Sequence, residues 1–212
     1  MTEFIVVYKQ NSIRIETEKG VVYIDPFEME EEKHDAAYIL ITHDHYDHFS
    51  PESIGKAGNK ETILVVPEKM EKKAAEAAGL VGKTVTVKPG EKKVIDGLET
   101  ETVPAYNILK PFHQKSAGWV GYIITAKGKR IYVAGDTDAT KEAKAVKCDI
   151  ALVPVGGTYT MDAEKAAELV NTIKPEVAIP VHYGSVVGTP KDGEEFAKLV
   201  KEPVKAELKI SF

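Results

Sequence analysis

Four metal-ligand side chains crowd into one short stretch: His43, His45, Asp47 and His48, within Thr-His-Asp-His-Tyr-Asp-His over residues 42–48. Three imidazoles and a carboxylate form a donor set for a borderline divalent metal. The spacing i, i+2, i+4, i+5 lets one tight loop send two histidines one way and an aspartate–histidine pair another. That suits two adjacent ions better than one. The run Ala37-Tyr-Ile-Leu-Ile41 just before it has the length and branching of a buried strand. Side chains leaving the C-terminal end of such a strand face a crevice, not the core. Ser50-Pro51-Glu52 then reads as an N-cap, a first-turn proline and an acidic first turn. The cluster therefore sits on a strand–loop–helix junction, stiff on both sides.

Two distant segments have the same design. Asp136 follows Ile131-Tyr-Val-Ala-Gly135, where the glycine permits close backbone approach and the strand end aims the carboxylate outward. His182 ends the apolar run Val177-Ala-Ile-Pro-Val181. Taken in order, His-x-His-x-Asp-His, Ala134-Gly-Asp-Thr137 and Ile179-Pro-Val-His-Tyr-Gly184 resemble the signature of the metallo-β-lactamase superfamily of metal-dependent hydrolases. Leu152-Val-Pro-Val-Gly-Gly-Thr-Tyr-Thr-Met161 resembles the branch that holds the ascorbate-6-phosphate lactonase and its relatives. The resemblance runs from about Ile5 to beyond His182. It implies an α/β fold, a four-layer αββα sandwich, with a dinuclear site at one edge. It implies no particular substrate.

The ligand set follows from joining the motifs. His43 and His45 hold one ion, Asp47 and His48 with His182 hold the other, and Asp136 bridges. Asp47 and Asp136 are the carboxylates expected to act in catalysis. A carboxylate between two ions holds them roughly 3.5–4 Å apart. One position departs from the family pattern, which places a further histidine soon after a middle strand, often in Pro-Ala-x-His. Here Val103-Pro-Ala-Tyr106 is followed by Asn107, and His113 comes six residues later. Asparagine is a weak ligand beside imidazole. The reading taken is His113 as the third histidine of the first site, with Asn107 donating a hydrogen bond to substrate or to the bound hydroxide. The alternative keeps Asn107 in the family position, with a weaker site or a harder metal.

Three histidines around one ion leave a fourth position open, as catalytic zinc sites do. Water between two dications ionises near neutral pH, so the expected chemistry is a metal-bridged hydroxide attacking a small ester, lactone or phosphoester. Zinc leads as cofactor, and manganese tolerates the same donors. Lys110 and Lys115 flank His113 and are candidates to hold an anionic small molecule. Loop 156–160 offers backbone N–H groups for the same purpose, and Tyr46, Tyr159 and Tyr183 are candidate pocket walls. Two other readings stay open: a nuclease or phosphodiesterase of the same fold, and a non-catalytic metal-binding protein.

Composition narrows these readings. A chain of 212 residues with 43% apolar content makes one domain, spanning 1–212, with a substantial core. A net charge of −5 with only two arginines makes a nucleic acid partner an unfavoured reading. No run approaches the roughly 18 apolar residues of a membrane span. One cysteine, Cys148, leaves no internal disulfide, so a cytoplasmic location is expected. Oligomeric state is not legible.

The element pattern is strand-rich in both halves. Strands are predicted at Phe4–Lys9, Ser12–Thr17, Val21–Asp25, Thr62–Val66, Thr84–Val87, Lys93–Ile95 and Glu99–Val103. An Ala-rich helix spans Pro67–Ala78. The second half reads strand Trp119–Ala126, strand Arg130–Ala134, helix Thr140–Val146, strand Ile150–Val153, helix Met161–Ile173, strand Val177–Pro180, helix Asp192–Val200 and strand Ala206–Ile210. Helices spaced between strands fit two sheets packed face to face with helices outside.

Overall fold

Apolar residues sort these strands into two sheets in the computed structural model, which describes residues 2–212. The first sheet has six strands in chain order: β1 (Ile5–Val7), β2 (Ile13–Thr17), β3 (Gly20–Ile24), β4 (Ala36–Leu40), β5 (Ile63–Pro67) and β6 (Lys83–Val87). The second has seven. It runs from β7 (Lys92–Ile95) and β8 (Leu98–Pro104) through β9 (Val120–Ala126) and β10 (Lys129–Val133), then β11 (Ile150–Pro154), β12 (Val177–Val181) and β13 (Lys205–Ala206). Both follow one plan. Each begins as an antiparallel ribbon, β1 to β3 or β7 to β10, and continues as parallel strands.

Parallel strands buried on both faces must be apolar on both, and β4, β5, β11 and β12 are. Successive side chains point to opposite faces. Tyr38, Leu40, Ile63 and Val65 therefore join Tyr122, Ile124, Ile131 and Val133 in the core between the sheets. Their neighbours Ile39, Ile41, Leu64 and Val66 pack instead with Ile54 and Ala57 of α1 (Pro51–Ala57) and with Met70, Ala74 and Ala77. Each such large aliphatic side chain contributes about 1.5–3 kcal/mol by leaving water. The second sheet is covered by α3 (Lys141–Lys144), α4 (Ala163–Ile173) and α5 (Pro190–Leu199), through Ala143, Leu169, Val170 and Phe196. The layers are helix, sheet, sheet, helix. No helix among the described residues is long and apolar enough to cross a membrane.

Several elements differ from expectation, among them α3, shortened to Lys141–Lys144, and α5, which starts two residues early at Pro190. The Ala-rich stretch after β5 is not one helix but a 3-10 turn, the single α turn α2 (Glu71–Ala74) and another 3-10 turn. None of these turns has a side-chain cap, and Met70, Ala74 and Ala77 are pinned against the sheet, so packing rather than helix propensity sets the path. Helix α4 begins at Ala163 rather than Met161, because Asp162 caps it by accepting from Lys165 N at 2.9 Å. The last strand pairs only over Lys205–Ala206.

Candidate metal centre

All the candidate ligands leave strand ends at one edge of the sandwich. β4 leads into His43–His48, β10 into Asp136 and β12 into His182, while the loop after β8 carries His113. Two glycines permit the approach. Gly135 has φ +65, and a Cβ there would meet Thr42 Cβ at 3.1 Å. A Cβ on Gly156 would lie 2.3 Å from the His182 carbonyl oxygen.

The side chains form two clusters, His43, His45, His113 and Asp136 in one and Asp47, His48 and His182 in the other, each with its donor atoms within 4.8 Å. In the first, His43 Nε2 lies 3.1 Å from His45 Nδ1, and His113 Nε2 lies 3.1 Å from Asp136 Oδ2. In the second, His182 Nε2 is 3.2 Å from His48 Nε2 and 3.3 Å from Asp47 Oδ2. Asp136 faces both. Its Oδ2 turns to the first cluster, while its Oδ1 lies 3.2 Å from His182 Nε2 and 3.4 Å from His48 Nε2.

Hydrogen bonds behind the ligands fix the imidazole tautomers. Asp25, fully buried just after β3, accepts from Thr42 N at 2.8 Å, Thr42 Oγ1 at 2.6 Å and Asn11 Nδ2 at 2.9 Å. Its Oδ2 also accepts from His48 Nδ1, at 2.8 Å. Thr42 Oγ1 has given its hydrogen to Asp25, so it accepts from His43 Nδ1 at 3.0 Å. Both rings are thereby left with Nε2 lone pairs toward the clusters. Gln10 acts similarly at the second cluster. It donates to Asp47 Oδ2 at 3.1 Å, and its carbonyl accepts from His182 N at 2.7 Å. Gln10, Asp25, His113 and His182 all hold positive φ, between 47 and 58. Such backbone costs on the order of 1–3 kcal/mol per residue and persists where surrounding contacts impose it.

Charge is distributed unevenly. Burial pushes His43 and His45 below the ordinary imidazole range. Burial acts the same way on His48, but Asp136 and Asp25 outweigh it and hold that ring well above the usual value. Burial opposes ionisation of Asp47 and Asp136, yet His182 and His48 keep both carboxyls well below the usual range. His113 Nε2 and Asp136 Oδ1 are buried with no hydrogen-bond partner. Buried polar atoms are rarely left so. Both are lone-pair donors facing the clusters, and with the imidazoles and carboxylates around them the residues fit divalent cations.

The remaining predicted residues fall in different places. Asn107 belongs to neither cluster: its Nδ2 sits 3.2 Å from His113 Nδ1 and donates to Tyr159 O at 2.6 Å. Lys110 and Lys115, read as anion holders, are already engaged. Lys110 Nζ contacts Asp138 Oδ1 and donates to Thr160 O at 2.7 Å, and Lys115 Nζ is 2.7 Å from Glu142 Oε1. Loop 156–160 spends two of its N–H groups internally, Gly157 on Met161 O and Thr160 on Gly157 O. Tyr183, read as a pocket wall, is a core residue packed on the Phe212 ring at 5.5 Å and closely backed by Gly193. Tyr46 and Tyr159 are exposed. Burial pushes the Cys148 thiol up to about 12, so it is inert.

Sequence reading missed Gln10, Asn11, Asp25, Thr42, Trp119 and Asp138. Asp25 had a visible signal, a lone carboxylate ending the apolar Val-Val-Tyr-Ile run. The Trp119 ring sits 4.9–5.3 Å from those of His43, His45 and His113. Asp138 clamps the His113 loop by accepting from Ile108 N at 2.7 Å. Removing the Asp25 carboxylate charge by Asp25→Asn should weaken metal binding about 10–100-fold, measured by competition with a chromogenic chelator.

Residues 5–182 match the β-lactamase superfamily domain. The chain is 33% identical over 201 residues to a UPF0173 metal-dependent hydrolase of Pyrococcus abyssi, covering 87% of this chain and 86% of that one. It is 31% identical over 206 residues to one from Nanoarchaeum equitans, covering 92% and 91%. A crystal structure of a candidate metal-dependent hydrolase from Parabacteroides distasonis superposes with a TM-score of 0.81 at 29% identity, covering 98% and 93%. Igni18, a metallo hydrolase of Ignicoccus hospitalis, shares the fold at TM-score 0.77 and 22% identity, covering 96% and 93%. The chain belongs to the β-lactamase superfamily, with its metallo-β-lactamase fold. Within that superfamily it is one of the metal-dependent hydrolases.

Proposed function

We propose that this enzyme hydrolyses a small ester, lactone or phosphoester at two divalent ions, zinc or manganese. His43, His45 and His113 would hold one ion, Asp47, His48 and His182 the other, with Asp136 shared. The observation that carries this reading is the divided Asp136 carboxylate, with Oδ2 on His113 and Oδ1 on His182 and His48. When bound, such a pair of ions supplies an acidified water and a Lewis acid for the substrate oxygen. The chain's own residues do the positioning. Asp25 and Thr42 set the imidazole tautomers, and Gln10 orients Asp47. Asp47 and Asp136, both held ionised, are the proposed catalytic carboxylates: Asp136 spans the clusters and Asp47 takes the proton of the attacking water. For an ester, water oxygen would bond to the carbonyl carbon, the ester C–O bond would break, and the departing alkoxide would take the proton that Asp47 accepted, which restores the carboxylate. Tyr159 borders the substrate, and Asn107 holds both its loop and the His113 ring. A cytoplasmic location belongs to the same proposal and rests on the single cysteine.

Elemental analysis of protein dialysed against zinc or manganese should find close to two ions per chain. His113→Ala should release one of them and lower turnover at least about 100-fold, an interaction worth about 2.7 kcal/mol in the transition state. Asn107→Ala should retain both ions at saturating metal. The reverse pattern would make Asn107 the ligand.

A further inference from the structure

Exposed apolar side chains are normal one by one, but here they are not scattered. Of the eleven large apolar side chains exposed among the described residues, six are Tyr46, Ile108, Leu109, Phe112, Tyr159 and Val186. Each lies on a segment that carries or holds a candidate ligand. Tyr46 sits between His45 and Asp47, and Phe112 immediately precedes His113. Ile108 and Leu109 share the His113 loop, with Ile108 N fastened to Asp138. The Tyr159 carbonyl accepts from Asn107, whose amide touches His113. Val186 N donates at 3.3 Å to Gln10 Oε1, and the amide nitrogen of Gln10 donates to Asp47. Phe112 and Tyr159 meet edge to face across two of these segments, with centroids 5.0 Å apart.

The two lysines that flank His113 are spent. Lys110 is held by Asp138 and Lys115 by Glu142, so each already has a carboxylate. Four loops that carry or hold candidate ligands thus expose apolar area, Tyr46 edge to face with Phe27 at 6.0 Å and Phe112 with Tyr159, while the two lysines flanking His113 are neutralised.

We propose that the substrate carries an apolar aryl or alkyl group beside the hydrolysed bond, seated on Tyr46, Phe112 and Tyr159. The proposal deepens the hydrolase reading above by naming the substrate's chemical class. It replaces the anionic ligand that Lys110 and Lys115 suggest in the sequence. Burying one further methylene on this rim tightens binding about fourfold.

Trp119 is the only tryptophan of the chain and lies against three of the candidate ligands, so its fluorescence reports on the rim. Acetophenone, butyrophenone and hexanophenone cannot be hydrolysed and differ only in alkyl length. Titrated into the zinc-loaded protein, each should shift Trp119 emission, with Kd falling about fourfold per added methylene. Phe112→Ser and Tyr46→Ser, both at exposed positions, should each flatten that dependence. A Kd independent of chain length, or unchanged in both variants, overturns the proposal. So does binding of methyl phosphate as tight as that of phenyl phosphate. The hydrolase reading is tested separately, with p-nitrophenyl acetate, butyrate and hexanoate and γ-butyrolactone. Failure to cleave any of these counts against that reading, while the ketone titration still decides the class of ligand.

Discussion

Asp136→Ala is expected to lower bound metal from two ions per chain to less than one, and kcat/KM by on the order of 10⁴-fold. No other ligand contributes an oxygen to each cluster, so its loss damages both together. The other ligands each belong to one cluster, and losing one should leave the opposite ion in place. Asp136→Asn separates charge from shape: it keeps the packing of a buried side chain but replaces one oxygen with an amide that cannot ligate. It should retain the fold and still lose the pair of ions. Elemental analysis with initial rates on p-nitrophenyl acetate checks both variants. Two ions retained in Asp136→Ala would remove Asp136 from the site.

Metal removal should cost stability on a comparable scale. The first-motif ligands come from the loop after β4 in one sheet, while His113, Asp136 and His182 come from the other. A bound ion therefore ties the sheets together, and it favours the folded state by mass action. At free metal about 1,000 times Kd this is about 4.1 kcal/mol for each site. For a domain of this size each kcal/mol moves the Tm by about 2–4 °C. Stripping one site with a chelator should thus lower the Tm by roughly 8–16 °C, and stripping both by more. In His113→Ala the chelator-induced drop should be about half that of the parent protein. An unchanged Tm after full chelation would show that the clusters do not bind metal tightly in the folded chain.

How much was legible in the sequence depended on whether a residue's role was local. His43–His48 announced itself because four ligands fall in one loop after one apolar run. Asp136 and His182 were legible as polar residues ending buried strands, and the positions of most strands followed from their patterning. His113 and Asn107 could not be ranked from spacing alone. Their placement depends on a left-handed backbone at His113 and on Thr137 and Asp138 gripping the loop from another strand end. The pairing of Lys110 and Lys115 was not legible for the same reason, since their carboxylate partners lie 28 and 27 residues away. Tyr183 follows a ligand in sequence, but Phe212 and α5 enclose it. The Pro67–Ala78 helix failed because propensity was read where burial decides.

The span between ligands also has a consequence during synthesis. His48 and His182, whose rings meet at 3.2 Å, are separated by 134 residues. At about 5–20 residues per second, a ribosome needs roughly 7–27 s to travel from one to the other. Throughout that interval the nascent chain carries His43, His45, Asp47 and His48 without the bridge or the last histidine. A metal captured then is held by an incomplete set of donors and can exchange with the cell's buffers. On the proposed ligand assignment, the choice of metal would be made after His182 has emerged, when the second sheet closes on the first.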